Sequence, residues 1–366
     1  MKDTYISEAV KYIGADDTTL DLFESQYQIP NGVSYNSYVI LDEKVAVMDT
    51  IDERKTDEWF ANLENVLNGR TVDYLVISHL EPDHAANIKR AADKFPQAQL
   101  VLSAKAKAML PQFFDIAHLE ERCLVVKEGD TLELGTHKLH FVMAPMVHWP
   151  EVMVEYDEAD KILFSADGFG RFGALSQSCT YDAAGKAQDV LEHEWTGEAR
   201  RYFINIVGKY GANVQGLLKK AAVLDIEKIA PLHGPVLTGG LEYFLDKYAK
   251  WSSYQPEEKG VVVAYSSIHG NTKYVAEHFA SILKGQGEEN VAVFDLARAD
   301  MAQAVADSFR YDALVLAGIT YDGGLMPCME DFLYHLKMKN FQNRYAAVIE
   351  NGSWGPVSGR LMKSYL

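Results

Sequence analysis

Alternation of apolar and polar positions divides the first two thirds of the chain into short strands. Ser34 to Leu41 and Lys44 to Met48 predict two strands, joined by the turn Leu41-Asp42-Glu43-Lys44. Asp52 to Asn68 is amphipathic at helical spacing, and Gly69 stands where a helix C-terminus is usually capped. Val72 to Ser78 reads as a buried strand. More strands are predicted at Leu100 to Ser103, Leu124 to Val126, Leu139 to Ala144, Val152 to Tyr156 and Lys161 to Ser165. A helix from about Asn205 to Leu224 precedes a last strand, Lys228 to Leu232. Hairpins among these strands favour mixed α/β or α+β layering over a plain βαβ series.

The pattern changes near residue 255. A helical stretch, Leu241 to Trp251, runs into the polar, Pro-containing segment Ser252 to Gly260, which reads as a linker. Val261 to Ala264 then looks like the buried first strand of a new sheet, followed by a helix over Lys273 to Leu283. Further strands are expected at about 291–295, 313–317 and 346–349. The expected domains are therefore 1–254 and 255–366.

Composition narrows the class. Of 366 residues, 48% are hydrophobic and 24% charged, as in ordinary globular proteins, so collagen-like, disordered and coiled-coil classes are excluded. No apolar run reaches the ~18–20 residues of a membrane span, and Met1-Lys2-Asp3-Thr4 starts no apolar leader. Cys123, Cys179 and Cys328 are too widely spaced for a disulfide framework or a Cys-x-x-Cys metal knuckle, which points to a reducing compartment. A net charge of −17 disfavours nucleic acid and anionic membranes as partners. A soluble cytoplasmic protein is expected.

The densest chemistry follows the Val72 to Ser78 strand, in His79-Leu80-Glu81-Pro82-Asp83-His84. Two imidazoles and two carboxylates crowd a strand end, where a scaffold presents side chains convergently. If the stretch stays extended, His79, Glu81 and Asp83 face one way, toward one metal pocket. A solvated loop with Asp83 capping a helix over Ala85 to Ala92 is the alternative. His148, Asp167 and His233 each lie at or just past the end of their own predicted strand, which strengthens the metal reading.

This arrangement resembles the flavodiiron proteins, A-type flavoproteins with a metallo-β-lactamase fold. The likeness rests on His-x-Glu-x-Asp-His, a distant His148, Asp167 19 residues on, and His233 before Gly234-Pro235. Ile29 to Tyr38 and Val47-Met48-Asp49-Thr50 are also similar to the family's N-terminal region. The resemblance implies an αββα sandwich followed by a flavodoxin-like, doubly wound parallel sheet. It also implies that His79, Glu81 and His148 hold one iron, that Asp83, His84 and His233 hold another, and that Asp167 bridges them. Family members differ in whether the imidazole at His84 ligates. Asp49 is either a carboxylate orienting a ligand or an ordinary turn cap.

Glu81 discriminates between metals. Zinc hydrolases of this fold normally carry His there, and a carboxylate hardens the site toward iron. Two ferrous ions, three carboxylates and one bridging hydroxide sum to zero, which a buried pocket tolerates. A zinc-dependent hydrolase with an accessory flavin domain is the alternative function. A non-catalytic redox module with a vestigial metal site is a third reading.

In the second domain, Tyr265-Ser266-Ser267-Ile268-His269-Gly270-Asn271-Thr272 joins a strand to a helix N-terminus, an arrangement suited to a phosphate. It resembles the flavodoxin loop for the FMN phosphate. Gly318-Ile319-Thr320-Tyr321-Asp322-Gly323-Gly324-Leu325 and Glu350-Asn351-Gly352-Ser353-Trp354-Gly355 also follow predicted strands, where open α/β sheets bind ligands. By the resemblance these loops flank the flavin ring, with Tyr321 or Trp354 beside it.

The resemblance further implies reduction of dioxygen to water or of nitric oxide to nitrous oxide, with FMN relaying electrons to a μ-hydroxo- or oxo-bridged di-iron pair. Rubredoxin or a reduced deazaflavin coenzyme is the implied donor, and a head-to-tail homodimer or dimer of dimers the implied assembly. Phe23, Gln26 and Tyr27 are candidates for tuning the choice of gas. Only four strands are predicted in the second sheet against the family's five. The final helix, strand and helix, about 40 residues, are expected to be missing, as in a shortened or naturally truncated chain.

Overall fold

The computed structural model describes residues 4–175 and 177–366, so Met1, Lys2 and Asp3 lie outside the described residues. They form two compact units. One comprises residues up to Phe23, Ile29–Ala199 and Ala212–Asp246; the other comprises Glu24–Gln28, Arg200–Gly211 and Lys247–Leu366.

The first unit holds a six-stranded and a seven-stranded sheet. The first sheet runs Val10–Tyr12, Tyr38–Leu41, Val45–Met48, Tyr74–Ile77, Gln99–Ser103 and Cys123–Val126 in spatial order. The second runs Thr131–Glu133, Lys138–Met143, Met153–Asp157, Ile162–Phe164, Lys228–Ala230, Val236–Gly239 and Thr180–Asp182. Period-two alternation explains the layering. Ala46, Met48, Val76 and Val101 meet Phe141, Met153, Ile162 and Ala230 in one core between the sheets. Their neighbours Val47, Leu75 and Leu100 point outward, against Trp59 and Leu63 of the helix Thr56–Leu67 and Ala91, Ala92 and Phe95 beyond it.

Ser34 to Leu41 is broken into Val33–Tyr35 and Tyr38–Leu41, contrary to the single strand expected. Asn36 and Ser37 leave the ladder to bond elsewhere: Asn36 Nδ2 donates to Pro231 O and Gly234 O, and Ser37 Oγ to Asp49 O. The expected helix over Asn205 to Leu224 starts as a π turn, Phe203–Val207, and becomes α-helical only at Gly211–Ala221. Gly211 sits so close to Ser252 O that a Cβ would come within 2.2 Å of it. A helical stretch over Gln188–Leu191 and Gly197–Tyr202 adds to the elements expected from the pattern, with Leu191, Trp195 and Ala199 recurring at four-residue intervals on its buried side.

The second unit carries a parallel sheet ordered Val291–Asp295, Glu258–Tyr265, Tyr311–Tyr321 and Tyr345–Asn351. Its first strand in sequence therefore lies second in space, the doubly wound arrangement. Two expectations need correcting. Gly318 to Leu325 is not a loop, because the strand continues to Tyr321 and returns as Gly324–Leu325. Asp322 and Gly323 both have positive φ, which a two-residue hairpin turn of this kind requires. The helix expected to be missing after the third loop begins within the chain, as Ser358–Tyr365. No helix among the described residues is long and apolar enough to cross a membrane.

Candidate metal centre and flavin loops

Lys138–Met143, Ile162–Phe164 and Lys228–Ala230 run in the same direction, because the strand between the first two is antiparallel to both and the last two are parallel. Their carboxyl ends therefore share one edge of the sheet. His148, Asp167 and His233 follow those ends, and His79 follows Tyr74–Ile77 of the facing sheet. Pro82 opens a one-turn helix, Pro82–Ala85, so the stretch is not extended through Asp83 as alternation suggested. The turn carries Asp83 away from His79 and Glu81 and groups it with His84 and His233.

Seven side chains thus form two sets, His79, Glu81, His148 and Asp167 in one and Asp83, His84 and His233 in the other. Asp167 faces both. Its Oδ2 lies 3.4 Å from His79 Nε2 and 3.1 Å from His148 Nε2. Its Oδ1 lies 3.2 Å from His84 Nε2 and 3.8 Å from His233 Nε2. Glu81 Oε2 is 3.2 Å from His79 Nε2 and 3.0 Å from His148 Nε2, while Asp83 Oδ2 is 3.2 Å from His233 Nε2.

Despite these distances, both oxygens of Asp83 and of Asp167 and His148 Nε2 make no hydrogen bond of normal geometry among the described residues. Buried polar atoms left this way are costly unless something else fills their lone pairs. Two imidazole nitrogens, His84 Nε2 and His233 Nε2, also face each other at 3.1 Å. Lone pairs aimed at shared points are what metal ions require, so the donor set fits two cations.

The supports around this set are specific. His233 Nδ1 donates to Ser34 O at 2.7 Å, which leaves Nε2 unprotonated toward the cluster. Asp49 Oδ1 accepts the N–H groups of Ser78, at 2.8 Å, and His79, at 3.3 Å. It therefore ties down the strand end, and it is not the group that orients an imidazole. Burial raises its pKa to about 6, against the opposing pull of Ser78. The carboxylate on His79 Nδ1 is Glu151, at 2.8 Å, which the sequence reading missed. Its signal lay in Trp149-Pro150-Glu151 directly after His148. Phe23 packs edge-on against His233 with ring centroids 5.4 Å apart. Tyr27 instead bonds Asn205 O within the second unit, and Gln26 bonds Glu24.

A third His/Asp group, His137, Asp157 and Asp160, is already internally engaged. His137 Nδ1 pairs with Asp157 Oδ2 at 2.9 Å, and Asp157 also accepts the N–H groups of Ala159 and Asp160.

In the second unit the three candidate flavin segments meet at the carboxyl ends of adjacent strands. Asn351 Nδ2 donates to Thr272 Oγ1 at 3.1 Å, joining the third segment to the first. Gly270 has φ +88° at the start of the helix Asn271–Gly285, and its N–H bonds Ser267 Oγ. Ser266 Oγ is buried without a partner among the described residues, an open hydroxyl that suits a phosphate cradle. Thr320 is occupied differently, accepting the N–H groups of Val357 and Ser358 to cap the last helix. Ile268, Tyr321 and Trp354 are exposed, as are His269, Asp322, Gly355 and Ser353 around them.

Comparison with known proteins places the fold of both units. Residues 33–234 match the ODP family beta lactamase, and residues 262–352 match a flavodoxin domain. An anaerobic nitric oxide reductase flavorubredoxin of Vibrio vulnificus is 27% identical over 355 residues, spanning 96% of this chain and 70% of the relative. The rubredoxin oxygen:oxidoreductase of Desulfovibrio gigas superposes with TM-score 0.89 at 26% identity, covering 99% of this chain and 88% of that one. The flavodiiron protein of Giardia intestinalis gives TM-score 0.87 at 26% identity, covering 97% and 84%. With a first unit of the ODP beta-lactamase family joined to a flavodoxin domain, the chain belongs to the flavodiiron proteins.

Proposed function

We propose that the chain reduces dioxygen to water, nitric oxide to nitrous oxide, or both, at two non-haem irons, using electrons relayed by FMN. The observation that carries this reading is Asp167, whose two oxygens each face a separate set of nitrogen and oxygen donors. In this reading His79, Glu81 and His148 hold one iron, Asp83, His84 and His233 the other, and Asp167 spans both. Three carboxylates among seven donors favour iron over the nitrogen-rich zinc sites of hydrolases. Residues Ser266 to Thr272, Thr320 to Gly324 and Asn351 to Trp354 would surround the FMN. The irons and the flavin supply the electron-transfer chemistry when bound.

The chain's own residues hold, orient and shield. Ser34 O and Glu151 fix the tautomers of His233 and His79, and so aim Nε2 of each ring at the cluster. Phe23 and Trp149 lay apolar edges against those rings, with Trp149 5.3 Å from His79, and limit water at the donors. Rubredoxin or a reduced deazaflavin is the proposed donor, and a head-to-tail homodimer the proposed assembly.

The test is anaerobic loading with ferrous iron and FMN, photoreduction, and parallel measurement of O2 and NO consumption. Both His79→Ala and Asp167→Ala should abolish consumption. Parent-level rates in either variant, or a preparation holding zinc and no iron, would sink the proposal.

A further inference from the structure

The two donor sets are supported unequally. On one side, His79 Nδ1 meets Glu151 Oε1 at 2.8 Å, and both side chains are fully buried. The same oxygen accepts Leu80 N–H at 2.9 Å, while Glu151 Oε2 has no partner among the described residues. On the other side, His233 Nδ1 donates to a neutral backbone carbonyl, Ser34 O, and His84 Nδ1 has no partner among the described residues.

A buried carboxylate with one oxygen unbonded is costly unless positive charge lies nearby. No Lys or Arg forms an ion pair with Glu151 among the described residues; its only ion-pair partner is the His79 ring. The missing charge is supplied when His79 Nε2 binds a cation, because the carboxylate then stabilises the polarised imidazole and strengthens its donation. The fold also invests in the carboxylate's position. Ser103 Oγ, at the end of Gln99–Ser103, holds Glu151 O at 2.8 Å, and Trp149 stands perpendicular to the His79 ring.

We infer that Glu151 is a positioning residue that makes the two metal sites inequivalent, so that the His79–Glu81–His148 site binds a divalent cation first and more tightly. The inference rests on the two-metal reading above. No proton is transferred in it. Glu151 acts through the hydrogen bond to Nδ1, which leaves the Nε2 lone pair directed at the metal and raises its donor strength. Outer carboxylates of this type change metal affinity by about 10- to 100-fold.

The experiment is an anaerobic titration of the metal-free chain with Co(II), followed by visible d–d absorption and by equilibrium dialysis. The parent should take up two ions in two resolved steps. His233→Ala should remove the weaker step and keep the tighter one. Glu151→Gln retains an acceptor oxygen for His79 and Leu80 while removing the charge, so the fold is kept. It should weaken the tighter step by about 10- to 100-fold, leave the weaker step within about threefold, and shift the first-step cobalt spectrum. Unchanged steps in Glu151→Gln, or a loss confined to the step that His233→Ala removes, would overturn the inference with the two-metal reading intact. A parent that takes up fewer than two ions would overturn both.

Discussion

Asn36 offers a sharp test of how the loop bearing His233 is held. Its side chain is fully buried, and Nδ2 donates to Pro231 O at 2.7 Å and Gly234 O at 2.6 Å. Oδ1 accepts the Tyr12 hydroxyl at 3.1 Å. Nδ2 also donates to the Tyr38 hydroxyl at 3.3 Å. Asn36→Leu keeps the branched shape, adds bulk and removes all four bonds. Pro231 O remains satisfied, because Tyr38 also donates to it at 2.5 Å. Gly234 O and the Tyr12 hydroxyl lose the partner that Asn36 provided. Stranding the buried Gly234 O costs about 1–3 kcal/mol and forcing extra bulk into this buried site about 1–3 kcal/mol more, so the expected loss is about 2–6 kcal/mol, centred near 4.

Two units need not unfold together, so the assay must report on the first alone. Amide exchange within Tyr38–Leu41 and Lys228–Ala230 does so, alongside urea denaturation. With an m-value of about 3 kcal/mol/M, the first unit's urea midpoint should fall by about 1 M. Asn36→Asp should be at least as damaging, since a carboxylate would face two carbonyl oxygens. A loss below about 1 kcal/mol in Asn36→Leu, with unchanged exchange in both strands, would refute the clamp.

Three further outcomes are expected. In the second unit burial would raise the Glu257 pKa, but Arg200 and Lys247 outweigh it and hold it down at about 2. A depressed folded-state pKa stabilises above the ordinary value of 4.5, and that stability is lost as pH falls toward about 2. Glu257→Gln should flatten acid unfolding in that window and cost about 3–5 kcal/mol at neutral pH by breaking the buried ion pairs with Arg200 and Lys247; parallel acid curves for parent and variant would contradict this. Asp167→Asn should reduce bound iron from two per chain to one or none by elemental analysis, whereas full occupancy would remove Asp167 from the bridge. Gly270→Ala places a Cβ at φ +88°, where nothing crowds it, so conformational strain of about 1–2 kcal/mol is its main cost. FMN affinity, read by flavin fluorescence quenching, should fall about 5- to 30-fold, and an unaltered Kd would argue against this phosphate cradle.

Much of the architecture was legible because burial imposes a period. Val45–Met48, Tyr74–Ile77 and Gln99–Ser103 are apolar runs that only a two-faced sheet can hide, and their strands fall close to where the pattern puts them. The break at Asn36-Ser37 was not legible, because what ends the strand is a pair of carbonyls nearly 200 residues away. The hairpin at Asp322-Gly323 is locally encoded, in the Asp-Gly dipeptide.

At the candidate metal centre, residue types and strand-end positions point to side chains that the structure brings together, since convergent loops follow from parallel strand directions. Which donor faces which partner was another matter. Extended alternation grouped Asp83 with His79 and Glu81; the turn begun at Pro82 regroups it with His84 and His233. Glu151 was invisible as a support because hydrogen-bond partners 72 residues apart carry no spacing rule. The sequence by itself determined the chemistry available, a set of imidazoles and carboxylates at strand ends and a glycine-bearing loop before a helix. Only the tertiary structure decided how that chemistry is divided between two sides of Asp167, because local patterns fix the direction of a side chain from its own backbone, while its partner is set by the packing of two sheets.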